Sequence, residues 1–272
     1  MHLGTAVELA TDRDFAVHEF SCLDDHTGWF GEQQTTYQIV LVRAGMFRVR
    51  SGGIVSDVDS AVCYLGVPGT ARSFAHPATG EMATLISLNP RLWQSMAGDA
   101  RIVGHRAYTN ARIELAHRRL IAARADPGYA LTEQLLELLA GVLSQTAGAS
   151  TPANRQPTNA DRTLVENARA AIAAGHPLAE RLGSLARLLG VSPYRLSRAF
   201  PRELGVSLTH YRNRIRITRA LDRLAAGEPS LATLATDLGF ADQAHLTRTV
   251  RDHLGNTPSA LRRLLTSQKS AG

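Results

Sequence analysis

A chain of 272 residues, 44% of them hydrophobic, is long enough for two packed domains and too apolar for wholesale disorder. Two cysteines, Cys22 and Cys63, exclude a disulfide-dense secreted scaffold, and no apolar run approaches the roughly 18 residues of a membrane span. The net charge of +6 is unevenly placed: residues 161–272 hold 17 Lys+Arg against 9 Asp+Glu, and residues 1–160 hold 13 against 15. A basic half joined to a mildly acidic half predicts a polyanion-binding module carried by a near-neutral partner domain. The opening MHLGTAVELATDRDF has acids where a signal peptide needs an apolar stretch, so the expectation is a soluble, cytoplasmic protein.

Residues 15–90 read as β-rich. Tyr37 to Arg43 and Met46 to Arg50 form two strand patterns around Ala44-Gly45, Gly52-Gly53 marks a further turn, and Ala61 to Leu65 and Met82 to Leu88 are two more strands. Short strands separated by turn signals predict a sandwich or barrel. From Asn89-Pro90 the pattern turns helical, with amphipathic segments at 108–124 and 129–146 separated by Asp126-Pro127-Gly128. In the second, Leu131, Leu135, Leu138 and Val142 form one stripe and Leu136, Leu139 and Leu143 a parallel one. Two stripes have two readings: burial wholly within one subunit, or one face against the domain and the other against a second copy, giving a homodimer.

Residues 147–160, AGASTPANRQPTNA, hold two prolines and one charge without a core-forming period, and read as a linker between domains at 1–146 and 161–272. The second half contains an internal repeat. Ser184 to Gly190 lies beside Thr233 to Gly239 at an offset of 49, and Leu196-Ser197-Arg198 beside Leu246-Thr247-Arg248 at an offset of 50. Each copy is a short amphipathic helix, a Gly-containing turn and a second helix, the helix-turn-helix pattern. Ser192-Pro193 and Asp242 are the helix starts; Leu196 and Phe200, then Leu246 and Val250, face inward. Outward lie Tyr194, Arg195, Ser197, Arg198 and Arg202 in the first copy, and His245, Thr247, Arg248 and Arg251 in the second. Arginine and hydroxyl groups on an exposed helix face are what major-groove readout of double-stranded DNA requires, and Arg198 and Arg248 are the leading base-contacting candidates. Between the copies runs a continuous helical pattern from Leu208 to Leu224, whose Arg212, Arg214, Arg216 and Arg219 either reach phosphates or form a solvated face. Pro201 lies inside the first recognition helix, where a missing amide and ring crowding predict a bend or an early end.

Residues 161–265 resemble the DNA-binding domain of AraC/XylS-type transcriptional regulators, through Ser184-Leu185-Ala186, Leu196 to Phe200, Gly239-Phe240, Leu246-Thr247-Arg248, and Thr257-Pro258-Ser259 followed by Arg262-Arg263. The resemblance implies an α+β chain: an N-terminal cupin-like β-barrel with a helical hairpin, then an all-α domain of two helix-turn-helix units joined by a long helix. It further implies a non-enzymatic, sequence-specific regulator, an activator that works with RNA polymerase and answers to a small-molecule effector or partner acting on the first domain. Leu246, Val250 and Leu261 stand where the family commonly has aromatics, and Asn256 where it has a hydrophobe.

The competing class is a cupin-type enzyme fused to a DNA-binding domain. His18, Cys22 and His26 recur at four-residue intervals, and Cys63 and His76 lie on other strands or loops, so a Cys/His zinc site could be assembled from them. Against it, there is no His-x-His on a strand and no close Cys pair, and neither metal nor cofactor is expected. Tyr64 and His76 are ligand-pocket candidates at a barrel mouth, or plain structural residues.

Overall fold

Alternating burial organises the N-terminal strands, and helical periodicity the rest. The computed structural model describes residues 4–22, 26–51, 53–76, 80–98, 105–147 and 158–269. It divides into two units: residues 1–109 with 116–150, and residues 110–115 with 151–272. Most of the expected linker, 148–157, lies outside the described residues.

Among the described residues the first unit holds ten strands: β1 Thr5–Thr11, β2 Phe15–Cys22, β3 His26–Gln33, β4 Tyr37–Gly45, β5 Phe47–Ser51, β6 Ile54–Val58, β7 Val62–Gly66, β8 Ala71–His76, β9 Glu81–Leu88 and β10 Arg106–Tyr108. They form a six-stranded antiparallel sheet ordered β1-β2-β9-β4-β7-β10 and a four-stranded sheet ordered β3-β8-β5-β6. In β5, Phe47 and Val49 turn inward while Arg48 and Arg50 turn out, the period-2 pattern of a half-buried strand. One buried cluster combines Val42, Tyr64 and Ala83 of the larger sheet with Phe47, Val49, Val58 and Phe74 of the smaller, so the two sheets pack face to face. The expected barrel is therefore corrected. Among the described residues each sheet keeps two edges and no strand pairing joins them, so this is a two-sheet sandwich and not a closed barrel. The four strands read from the sequence are present, and six more join them. β1 escaped notice because its side chains are mostly exposed, which erases the apolar alternation that reveals a strand.

Helix α1 (Pro90–Ala97) starts at Asn89, whose side chain accepts from the Leu92 amide at 2.8 Å. The first hairpin helix, α2 (Ala111–Ala122), begins later than the expected 108, because residues 106–108 pair with Val62–Tyr64 as a strand. In α3 (Ala130–Ala147), Leu131, Leu135, Leu138 and Val142 are fully buried. The second stripe divides: Leu139 is buried, Leu143 half-buried and Leu136 40% exposed.

The helical unit contains α4 (Asn159–Ala173), a 3-10 turn (Pro177–Glu180), α5 (Leu182–Leu188), α6 (Pro193–Leu204), α7 (Leu208–Ala225), α8 (Leu231–Asp237), α9 (Gln243–Leu254) and α10 (Pro258–Lys269). Leu246, Val250 and Leu261 are no more than 1% exposed and share one core with Ile217, Leu221, Leu224 and Leu234. Asn256 stays on the surface, its amide donating to the Leu254 carbonyl at 3.3 Å. Arg214, read from sequence as an outward cation, is fully buried; its guanidinium donates to Glu114 Oε2 at 3.3 Å, within the same unit, and to the Thr218 hydroxyl. Among the described residues no helix is long and apolar enough to cross a membrane.

The rings of His210 on α7 and His253 on α9 stack at 4.4 Å. Burial, then the neighbouring His210 and Arg214, push His253 down to about 4 against the opposing pull of Asp252, and burial also lowers His210. A histidine held below its unfolded value of about 6.5 favours the fold while both states are neutral, and that stability drains as pH falls from about 6.5 towards 4. Both rings are partly solvated, so the expected loss between pH 7 and 4.5 is about 1 kcal/mol. Urea unfolding across this range checks it: the loss should shrink in His253→Gln, and an unchanged pH profile in that variant would refute the assignment.

Candidate nucleic-acid interface

The two helix-turn-helix copies are built bond for bond alike. At the end of α5 the Val191 amide donates to the Ala186 carbonyl at 3.0 Å and Gly190 to Arg187 at 3.1 Å; at the end of α8, Phe240 donates to Ala235 at 2.9 Å and Gly239 to Thr236 at 3.0 Å. These paired bonds close a Schellman motif, and they require a left-handed residue, which Gly190 (φ 66°) and Gly239 (φ 72°) supply. Ala186 and Ala235 are fully buried, with side chains small enough for the second helix of each pair to cross closely. Ser192 Oγ accepts from the Arg195 amide at 3.2 Å and opens α6; Asp242 Oδ1 accepts from the His245 amide at 2.6 Å and opens α9. Each such cap contributes about 1 kcal/mol.

Phe200, fully buried, packs its ring 5.5 Å from Tyr211 and anchors α6 on α7. The expected early end at Pro201 does not occur. Pro201 is exposed, α6 runs three residues past it to Leu204, and its carbonyl accepts from the Gly205 amide at 3.1 Å. Proline at this depth removes one helix bond without ending the helix, because Leu196, Ala199, Phe200 and Leu204 hold the inner face.

The outer faces carry free positive charge. Arg195, Arg198, Arg248 and Arg251 are exposed, and among the described residues none of them meets an acid at ion-pair distance. Tyr194 is 74% exposed. The Ser197 hydroxyl donates to the Tyr194 carbonyl at 3.0 Å, which leaves its oxygen lone pairs as acceptors. Thr247, its counterpart on α9, is half-buried. His245 Nδ1 accepts from the Ala241 amide at 3.3 Å, which assigns the ring proton to Nε2 as a donor. Arg202 differs from its neighbours: it lies 3.7 Å from the buried Asp161. Gln243, in the first turn of α9, is exposed and went unnoticed in the sequence. Its signal was the offset of 50, which pairs it with Pro193 at the start of the first recognition helix.

Of the five arginines of α7, Arg223 is ion-paired with Glu228 and Asp237, and the other four have separate fates. Arg214 is buried; Arg219 donates to the Ile172 and Ala173 carbonyls at 3.3 and 2.9 Å and so caps α4; Arg216 lies over the Phe240 ring at 5.5 Å; Arg212 has no hydrogen bond or ion pair among the described residues.

In the first unit, Tyr64 and His76 lie inside the sandwich. Tyr64 is fully buried beside Phe74 and Phe47, and burial raises its hydroxyl to about 12. His76 Nε2 is 3.2 Å from Glu81 Oε1, and its Nδ1 is 3.9 Å from Cys22 Sγ. A hollow of about 430 Å³ in this unit is lined by Gly31, Glu32, Arg50 and Arg72 among others, and includes neither Tyr64 nor His76. Cys63 donates to the Ala107 carbonyl at 3.5 Å, and burial pushes its thiol up to about 11. Among the described residues no three His, Cys, Asp or Glu side chains gather as a metal site, and the side chain of His26 lies outside the description.

A protein family described as a helix-turn-helix domain matches residues 185–264. Over 81 residues, 30% of this chain, the sequence is 33% identical to the arabinose operon regulatory protein of Escherichia coli (strain K12), of which that stretch covers 28%. Over 224 residues, 82% of this chain, it is 25% identical to the HTH-type transcriptional regulator GlxA of Rhizobium meliloti (strain 1021), covering 64% of that protein. The matched stretch thus spans less than a third of the first relative and just under two thirds of the second. Among solved structures, ToxT from Vibrio cholerae strain SCE256 is similar over 94% of this chain and 97% of that one, at 13% identity and a TM-score of 0.38.

Proposed function

We propose, for a chain whose helical unit belongs to the AraC/XylS family of DNA-binding domains, that the protein is a sequence-specific transcription regulator. Helices α6 and α9 enter successive major grooves of one duplex, and α7, at 18 residues about 27 Å long, sets their separation. The observation that carries this reading is the pair of helices opened and packed alike, each presenting exposed arginines that meet no acid at ion-pair distance among the described residues. Guanidinium groups held on a short exposed helix and left without counter-charges are free to bind guanine edges or phosphates.

The finer reading rests on the family. The protein is an activator that works with RNA polymerase, its first unit answers a small molecule or partner, and it acts in the cytoplasm as a homodimer. Leu136 and Leu143, seven residues apart on α3 and not fully buried, support a second copy on that face.

Footprinting of the full-length protein on genomic fragments tests the central claim. Two protected tracts about 10 base pairs apart, on one face of the duplex, are expected. Absence of any protected site at low salt would overturn it.

A further inference from the structure

Within the helical unit a cleft of about 510 Å³ lies between the end of α4, the turn before α5, the middle of α7 and the end of α8. Arg181, Arg212, Arg216 and Arg219 line it, with Glu180 and Asp237 as the acids. The charges do not cancel. Asp237 is taken by Arg223 at 3.1 Å, outside the cleft, and Arg219 is held by the α4 carbonyls. Glu180 alone remains to balance Arg181, Arg212 and Arg216, and among the described residues no ion pair within 4 Å is closed to any of these three.

The repeat shows what an arginine at this position does when satisfied. Fifty residues on from Arg212, Arg262 donates to the carbonyls of Glu228 and Pro229, both at 2.9 Å. Arg212 makes no such bonds, although it is half-buried on the equivalent helix. Burial lowers both Arg212 and Arg216 against the opposing charge of Glu180, and Arg216 is lowered further by the charges of Arg212 and Arg219, so these cations disfavour one another within the cleft. Gly239 fits the same arrangement: a side chain there would bring its Cβ within 3.2 Å of the Arg216 guanidinium.

Arg212 and Arg216 are half-buried and Arg181 stands exposed at the rim of the same cleft; planar guanidinium groups gathered in this way match an anion with several acceptor oxygens on one centre. We propose that this cleft is an oxyanion site that holds a phosphate group between Arg181, Arg212 and Arg216. The phosphate belongs either to the backbone of a bound duplex or to a free phosphate-bearing molecule. The site lies apart from the outward faces of α6 and α9, so it stands or falls separately from their reading of bases.

The probe is inorganic pyrophosphate, titrated calorimetrically into the full-length protein. Saturable binding is expected, weakened at least tenfold in Arg212→Gln and in Arg216→Gln and unchanged in Arg124→Gln, an exposed arginine of the first unit. A duplex carrying a footprinted site identifies the source. If the duplex displaces pyrophosphate, and each cleft variant lowers the salt slope of DNA binding by about one unit, the phosphate is the duplex's. If duplex and pyrophosphate bind together, it is a free ligand's. The wild-type protein provides a reading that needs no variant: pyrophosphate or the duplex should slow phenylglyoxal modification of Arg212 and Arg216, followed by peptide mass spectrometry. Unslowed modification with both, or pyrophosphate binding that ignores both cleft substitutions, would overturn the assignment.

Discussion

Replacing Glu114 with alanine will lower the stability of the protein by about 3–5 kcal/mol, the cost of leaving a buried charge without its counter-ion. Arg214 is fully buried, and the Glu114 carboxylate lies 3.3 Å from its guanidinium. The Thr218 hydroxyl and the other groups around Arg214 remain in the variant, which places the effect towards the lower end. Glu114→Gln keeps an acceptor oxygen but not the charge, and should lose about 1.5–3 kcal/mol. The double variant Glu114→Leu with Arg214→Met removes both charges and replaces them with apolar volume, so it should recover most of what the single change loses. Urea unfolding followed by circular dichroism measures all three. A Glu114→Ala protein within about 1 kcal/mol of wild type would show that the pair does not hold the charge in place.

That pair also shows where the sequence was legible and where it was misread. Helical spacing from Tyr211 puts Arg214, Ile217 and Leu221 on one face, at intervals of three, three and four, and all four are buried. The information was present, but charge overrode period in the reading of this segment, because an arginine in a helix is far more often solvated than buried. The repeat was legible for the opposite reason. Gly190, Gly239, Ser192 and Asp242 occupy positions where backbone geometry admits few residue types, so composition and structure agree there. The open sandwich was less legible. Strand alternation says which residues turn inward, and β5 obeys it; whether the last ladder closes depends on pairings between segments far apart in sequence, which alternation does not encode. The cleft around Arg212 was invisible for a similar reason, since it is assembled from α4, α7 and α8, and only the fold brings Glu180 to Arg212.

Arg198→Ala and Arg248→Ala should each weaken binding to the cognate site by about 1–3 kcal/mol, while binding to random DNA falls far less. The two arginines occupy equivalent positions of the repeat, both are exposed, and neither meets an acid among the described residues, so their removal should leave thermal stability close to wild type. Loss of affinity without loss of stability is the signature of a contact made to the ligand. The base pairs that become tolerant of substitution in the two variants should lie about 10 apart, one helical turn, if both helices read the same face. Pro201 does not shorten α6, so the first helix is as well formed as the second and the two losses should be comparable. Arg219 is the contrasting case on the connecting helix. Its guanidinium is engaged by the α4 carbonyls, so Arg219→Ala should lower stability and leave the salt slope of DNA binding unchanged. Selection experiments with randomised duplexes separate these outcomes. If Arg248→Ala abolishes sequence preference while Arg198→Ala alters neither preference nor affinity, paired readout fails, and α9 reads the bases alone while α6 serves only to position it.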